Sequence, residues 1–288
     1  MRDLSTDLQW LSINTATLRA QWNLEQIVEG LSRHGIATFS PWRDQVMAAG
    51  LGHTAKLIKD HGLSLSGYCR GGMFTSSDAA GTRRADEDNR RAVDEATLLG
   101  SKCLVLVVGA LPGALDGSVQ SRDIGHARMQ VEDGIGRLLE YAKSCNMPLA
   151  IEPLHPMYAA DRACVNTLAQ ALDLCDALDP SSSGALGVAV DVYHVWWDPQ
   201  LQAGIRRAGA DRLLAFHVCD WLAPTTDLLN DRGMMGDGVI EIRKIRSWME
   251  EAGFAGAAEV EIFSKNNWWT RPADLVLQTC VERYQTVV

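Results

Sequence analysis

Short, nearly uncharged runs of β-branched and aliphatic residues alternate along the chain with longer segments whose apolar positions fall three and four apart. The first kind reads as a strand covered on both faces, the second as an amphipathic helix that covers it. Leu8 to Leu18 is a first strand, and Asn23 caps a helix that begins at Leu24. Gly35 to Arg43 is a short strand ended by proline, followed by a helix over 44–61 that stops at His61-Gly62. The strand Leu63 to Cys69 runs into Arg70-Gly71-Gly72, read as a turn rather than as an anion site, and a charged helix spans Arg83 to Leu99. Lys102 to Val108 is a fourth strand, with a loop over 109–120 and a helix over 121–145. Met147 to Leu154 is the fifth, with a loop over 155–163 and a helix from Asn166 to Leu178. Leu186 to Asp191 is the sixth, before a short helix near 199–208, and Leu213 to Asp220 the seventh. A long loop containing 231–238 then leads to a helix from Val239 to Ala252, a strand from Ala257 to Phe263 and a last helix from Pro272 to Gln285.

Eight strand-helix units without a break in composition predict one α/β domain over 1–288, a (β/α)8 TIM barrel. A doubly wound open sheet would need a glycine-rich nucleotide turn after the first strand, and Asn14-Thr-Ala-Thr17 supplies none. No phosphate-binding, dinucleotide-binding or nucleophile-elbow motif is present elsewhere.

Composition narrows the class. With 47% hydrophobic and 22% charged residues the chain is ordinary for a globular protein, and a net charge of −9 argues against a partner held by its phosphates. Seven cysteines without a CxxC pair imply a reduced, cytoplasmic setting. The longest charge-free strand-like stretch, Cys103 to Leu111, is far too short to cross a bilayer, so neither export nor membrane insertion is expected.

The chemistry sits where the buried runs end. The fifth strand ends in Glu152, the sixth in Asp191, the seventh in His217 and the eighth in Glu261. In a parallel barrel these ends converge on one face. Three carboxylates and one imidazole suit a divalent cation of the Mn2+, Mg2+ or Co2+ type better than a structural zinc site, with Mn2+ the expected ion and Zn2+ an alternative. Each of the four has an unremarkable reading by itself, such as an ion pair, a core histidine or a helix cap. Four at equivalent positions point to a site.

Ile151-Glu-Pro153, Asp191-x-x-His194, His217 at its strand end, the Arg232 to Gly238 loop, Glu261 and Ser40-Pro-Trp-Arg43 together resemble the xylose isomerase-like sugar isomerase/epimerase superfamily, over nearly the whole chain. Tagatose/psicose 3-epimerases, hydroxypyruvate isomerases and inosose dehydratases are members of that group. The resemblance implies that Glu152, Asp191, His217 and Glu261 ligate the metal, and that Glu152 and Glu261 also act as the acid/base pair through a metal-stabilised enediolate. It implies substrate contacts from His194 and Arg232, and oligomers of identical chains. His155, in the loop after Glu152, and Trp42, whose indole can cover a sugar face, are further substrate-binding candidates. The expected function is a divalent-metal-dependent sugar isomerase or epimerase acting on a small carbohydrate or polyol-derived ketone. A dehydratase or lyase using the same residues is the nearest rival. An endonuclease IV-like nuclease is disfavoured, because His34, His53, His61 and His126 lie in or beside helices and Asp237-Gly-Val lacks the Asp-x-His of that pattern. A non-catalytic binding protein is the remaining alternative, since a barrel alone does not imply catalysis.

Overall fold

The computed structural model describes residues 2–288. Its strands are β1 (Leu11–Asn14), β2 (Thr38–Ser40), β3 (Ser64–Leu65), β4 (Tyr68–Gly72), β5 (Leu104–Val107), β6 (Leu149–Ile151), β7 (Leu186–Asp191), β8 (Leu213–Val218), β9 (Asp220–Trp221), β10 (Arg232–Gly233) and β11 (Ala258–Val260). Nine of these form one parallel sheet in the order β3-β2-β1-β11-β8-β7-β6-β5-β4, while β9 and β10 make a separate antiparallel ribbon. The seam between the two ends of the sheet is drawn together where Trp42 bridges Cys69 and the Cys69 N–H donates to the Pro41 carbonyl at 3.0 Å. The predicted (β/α)8 TIM barrel is therefore the observed fold, with its third strand divided into β3 and β4.

The helices are α1 (Leu24–Arg33), α2 (Arg43–Ala49), α3 (Leu51–Asp60), α4 (Ala79–Leu98), α5 (Ile124–Ser144), α6 (Leu168–Leu178), α7 (Val192–Val195), α8 (Leu201–Arg212), α9 (Ile242–Glu251) and α10 (Ala273–Thr286). Asn23 with Gln26, and Thr167 with Gln170, close reciprocal capping boxes on α1 and α6; such a cap contributes about 1 kcal/mol. Among the described residues no helix is long and apolar enough to cross a membrane.

Several boundaries depart from the sequence expectation for identifiable reasons. The helix expected over 44–61 is two helices, because Gly50 adopts φ +93°, outside any helix. The first strand ends at Asn14, whose side chain accepts the Ala16 N–H and turns the chain into a short 3-10 segment. Arg70-Gly71-Gly72 is not a turn but the second half of β4, paired to β5. The last long helix before β11 begins at Ile242 rather than Val239, since the Ile240 N–H is drawn onto the Asp220 carboxylate at 2.9 Å.

Side chains alternate between two cores. Leu149, Ile151, Val188, Val190, Phe216 and Val260 face the helices and belong to the large outer core. Ala150, Ala189, Ala215, Val105 and Cys69 form a small inner cluster on the barrel axis. Period two then carries Glu152, Asp191 and His217 inward, each two residues beyond an inner alanine. The local sequence Ala-x-(Glu, Asp or His) is the strand geometry made visible.

Candidate metal and substrate site

Glu152, Asp191, His217 and Glu261 each offer one ligand atom, and these atoms all lie within 4.8 Å of one another in a buried group at the carboxyl ends of β6, β7, β8 and β11. His217 Nδ1 stands 3.0 Å from Glu152 Oε1 and 3.9 Å from Glu261 Oε2. Arg232 Nη1 donates to Asp191 Oδ2 at 2.9 Å and to Glu261 Oε2 at 3.1 Å. The donor set is oxygen-rich with one nitrogen, so the four could hold a divalent cation.

The electrostatics fit that use. Burial pushes the Glu261 carboxyl up to about 8, a rise that Arg232 and His217 oppose and Glu152 adds to. Burial would lower the His217 imidazole, yet the surrounding Glu259, Glu152 and Glu261 carboxylates outweigh it and hold the group well above its usual range. Asp191 stays below the ordinary carboxylate range despite complete burial, because Arg232, His194 and His217 face it. Protons are thus retained on two of the four groups where a cation would otherwise supply the positive charge.

His194 lies on the one-turn helix α7, which Asp191 caps by accepting the Tyr193 N–H at 2.8 Å. Asp191 both caps this helix and belongs to the buried cluster, through different carboxylate oxygens: Oδ1 caps and Oδ2 meets Arg232. The His194 ring stands between the His155 backbone N–H and Arg232 Nη2, each 3.2 Å away. Full burial, with Arg232 nearby, lowers this imidazole to about 3 in spite of Asp191, so it is neutral at ordinary pH.

A cavity of about 190 Å3 opens over the cluster, with Glu152, Glu261, His194 and Arg232 on one side and Trp42, Arg70 and Arg162 among the other lining residues. Trp42 presents its ring rather than its N–H, which is donated to Asn14 Oδ1 at 2.9 Å. His155 does not line the cavity. Its imidazole stacks on Trp221 with centroids 5.0 Å apart, and its place at the wall is taken by Leu154 and Tyr158. Of the tryptophans that follow strands, Trp197, Trp268 and Trp269 donate their N–H groups to His194 O, Asp237 and Ala16 O, as loop packing requires.

Asp220 is structural. Its carboxylate accepts the N–H groups of Trp221, Gly236 and Ile240, all at 2.9 Å, and so folds the 236–240 loop behind the site. Gly238 is required there, because a Cβ would lie 2.1 Å from the Trp221 carbonyl oxygen. Over the cavity, Tyr158 and Tyr193 both donate to the Leu228 carbonyl, the latter at 3.0 Å, and pin the 222–231 loop.

One buried acid is not singled out by strand ends. Glu259 is buried on β11, where its register partners are His217 on β8 and Ser12 on β1. It accepts from Asn14 Nδ2 at 2.8 Å and from Ser66 Oγ at 2.7 Å, and its Oε1 lies 3.5 Å from His217 Nε2. The signal for it is the pair Glu259-x-Glu261, since two residues apart on a strand share a face.

Fold and site together define a TIM-barrel protein with a buried carboxylate-histidine cluster at the carboxyl ends of its strands. The family description "Xylose isomerase-like TIM barrel" matches residues 28–280, and the chain belongs to that family. A solved structure of protein SMc04130 from Sinorhizobium meliloti 1021 is 56% identical, with a TM-score of 0.92 over 98% of this chain and 99% of that one. An inosose isomerase from Bacillus velezensis is 23% identical over 96% of each chain. The zinc-bound IolI protein is 19% identical, with a TM-score of 0.81 over 97% of this chain and 98% of that one.

Proposed function

We propose that this protein is a divalent-metal-dependent isomerase or epimerase of small sugars or polyol-derived ketones, with Mn2+ as the working ion. The observation that carries the reading is the convergence of Glu152, Asp191, His217 and Glu261 within 4.8 Å beneath a cavity. The inosose isomerase relative and the zinc-bound IolI neighbour support the same class.

Glu152, Asp191, His217 and Glu261 are the proposed ligands. A cation held there would supply Lewis-acid polarisation of a substrate carbonyl and so acidify the adjacent C–H. Glu152 takes that proton from one side and Glu261 returns one from the other. Return to the opposite face of the same carbon epimerises, and return to the neighbouring carbon exchanges aldose for ketose. Both carboxylates have a second oxygen free for this work, and their buried position keeps bulk water from competing for the proton. Arg232 holds Asp191 and Glu261 in place, while neutral His194, its ring nitrogens engaged by the His155 N–H and Arg232, forms part of the cavity wall against the substrate. Trp42 offers an aromatic face to the sugar.

The test is NMR in D2O with Mn2+ and a panel of inososes, ketoses and aldoses. Deuterium entering next to the carbonyl with the carbon skeleton intact is the expected result. A dehydrated or cleaved product would instead assign the site to a lyase.

A further inference from the structure

Resting on the isomerase reading, the geometry points to the class of substrate: we infer that the cavity takes a sugar bearing an anionic group, a carboxylate or a phosphate ester, held by Arg70 with Arg162 beside it. Arg70 makes no side-chain hydrogen bond or ion pair among the described residues. Other arginines around the barrel are matched. Arg43 is paired with Asp88 and Glu95, Arg212 with Asp179, and Arg232 with Asp191 and Glu261.

The chain makes a specific adjustment to bring Arg70 inside. On β4, Cys69 pairs with Val105 and Gly71 with Leu106, so Arg70 is the extra residue of a bulge. Cys69 faces the barrel axis, and strict alternation would send Arg70 outward and Gly71 inward. Gly71 instead faces the helices, where a Cβ would meet Leu106 at 2.9 Å and Asn89 Oδ1 at 3.0 Å. The bulge therefore leaves Arg70 on the inner side, lining the cavity. By strand order β4 stands across the barrel from β8, which carries His217. A substrate spanning the mouth has its reacting end at the ligand cluster and its far end at Arg70.

Arg162 lines the same wall and lowers the Arg70 guanidinium further, after burial has done so. Its own contacts are weak: 3.8 Å from Nε to Asp161 and a position 5.7 Å over the Tyr158 ring. Among the described residues no acidic side chain is hydrogen-bonded or ion-paired to Arg70, and Arg162 has only Asp161 at 3.8 Å, so the positive charge on this wall is poorly matched locally. Two guanidinium forks facing a cavity match the oxygens of a carboxylate or phosphate in pairs. A neutral sugar would leave that charge unmatched.

The test is calorimetric titration of the Mn2+-loaded full chain with matched probes: D-galacturonate against D-galactose, and D-ribulose 5-phosphate against D-ribulose. The expected result is that at least one acidic probe binds about tenfold or more tightly than its neutral partner. Arg70→Gln brings the acidic probe's affinity down to that of its neutral partner, and Arg162→Gln narrows the gap. The pair that shows the preference identifies carboxylate or phosphate. Equal affinities in the wild type overturn the inference, as does a preference that survives in both variants, which would place the anion on the metal itself. Deuterium exchange measured on the same probes separates the two readings. Exchange without acidic preference sinks this inference and spares the isomerase; acidic preference without exchange does the reverse.

Discussion

Glu259 Oε1 lies 3.5 Å from Nε2 of His217, on the opposite side of the ring from Nδ1, which faces Glu152 at 3.0 Å. That Nε2 is buried and has no hydrogen-bond partner at present geometry, so a small ring rotation would give it one. A carboxylate behind a ligating histidine fixes which nitrogen carries the proton and raises the basicity of the other. Glu259→Gln and Glu259→Ala are therefore expected to weaken Mn2+ binding by about 10- to 100-fold, measured by competition with a metal-chelating dye. A dissociation constant unchanged in both variants would remove Glu259 from the site.

The proposed division of labour in the cluster predicts different kinetic signatures. Glu152→Gln and Glu261→Gln each remove a proton carrier and should lower kcat for deuterium exchange by about 100- to 10,000-fold. Asp191→Asn keeps both carriers, so its main effect should be a higher Mn2+ requirement, with exchange recovering at saturating metal. Exchange persisting in both glutamate variants would sink the assignment.

Metal affinity should rise with pH. A cation must displace the protons that Glu261, raised to about 8, and His217, raised well above its usual range, retain in the metal-free protein. Titrations at pH 6.5 and 8.5 in two buffers of different ionisation enthalpy should show tighter binding at the higher pH and proton release at the lower. The same shift has a stability consequence. A carboxyl whose pKa in the fold exceeds its ordinary 4.5 binds more protons folded than unfolded between those values, so the stability it lends is full below about 4.5 and is lost as pH rises through about 8. The metal-free protein should thus melt lower at pH 8.5 than at pH 7, a difference that saturating Mn2+ abolishes.

Asp220 and Gly238 form a structural unit away from the chemistry. A Cβ at Gly238 would stand 2.1 Å from backbone oxygen and 2.6 Å from Asp220 Oδ1, neither of which can yield cheaply. Gly238→Ala should cost about 1–3 kcal/mol and lower Tm by several degrees, seen by circular dichroism. Because Arg232 belongs to the neighbouring ribbon, where it pairs with Trp221 and the adjacent Gly233 pairs with Asp220, activity should fall along with stability.

The alternation of buried runs with helical spacing made the barrel legible, since a parallel strand covered on both faces leaves an unmistakable apolar run and a covering helix its own period. Glu152, Asp191, His217 and Glu261 were legible for the same reason: a charged residue directly after such a run has to emerge at the strand's end. His155 shows where that logic fails. Proximity along the chain to Glu152 did not place its ring at the cavity, because the 3-10 turn at Pro156 and the stack on Trp221 turn it aside.

Chain order alone determined the eight strand-helix beats and the four strand-end donors, because periodicity and burial are local properties of consecutive residues. Only the closed barrel decided that Glu259 stands behind His217, that Arg70 turns inward at a bulge, and that the Asp220 carboxylate gathers the 236–240 loop. Each of those depends on register between strands far apart in the chain, and register is set by packing across the whole barrel rather than by any one segment.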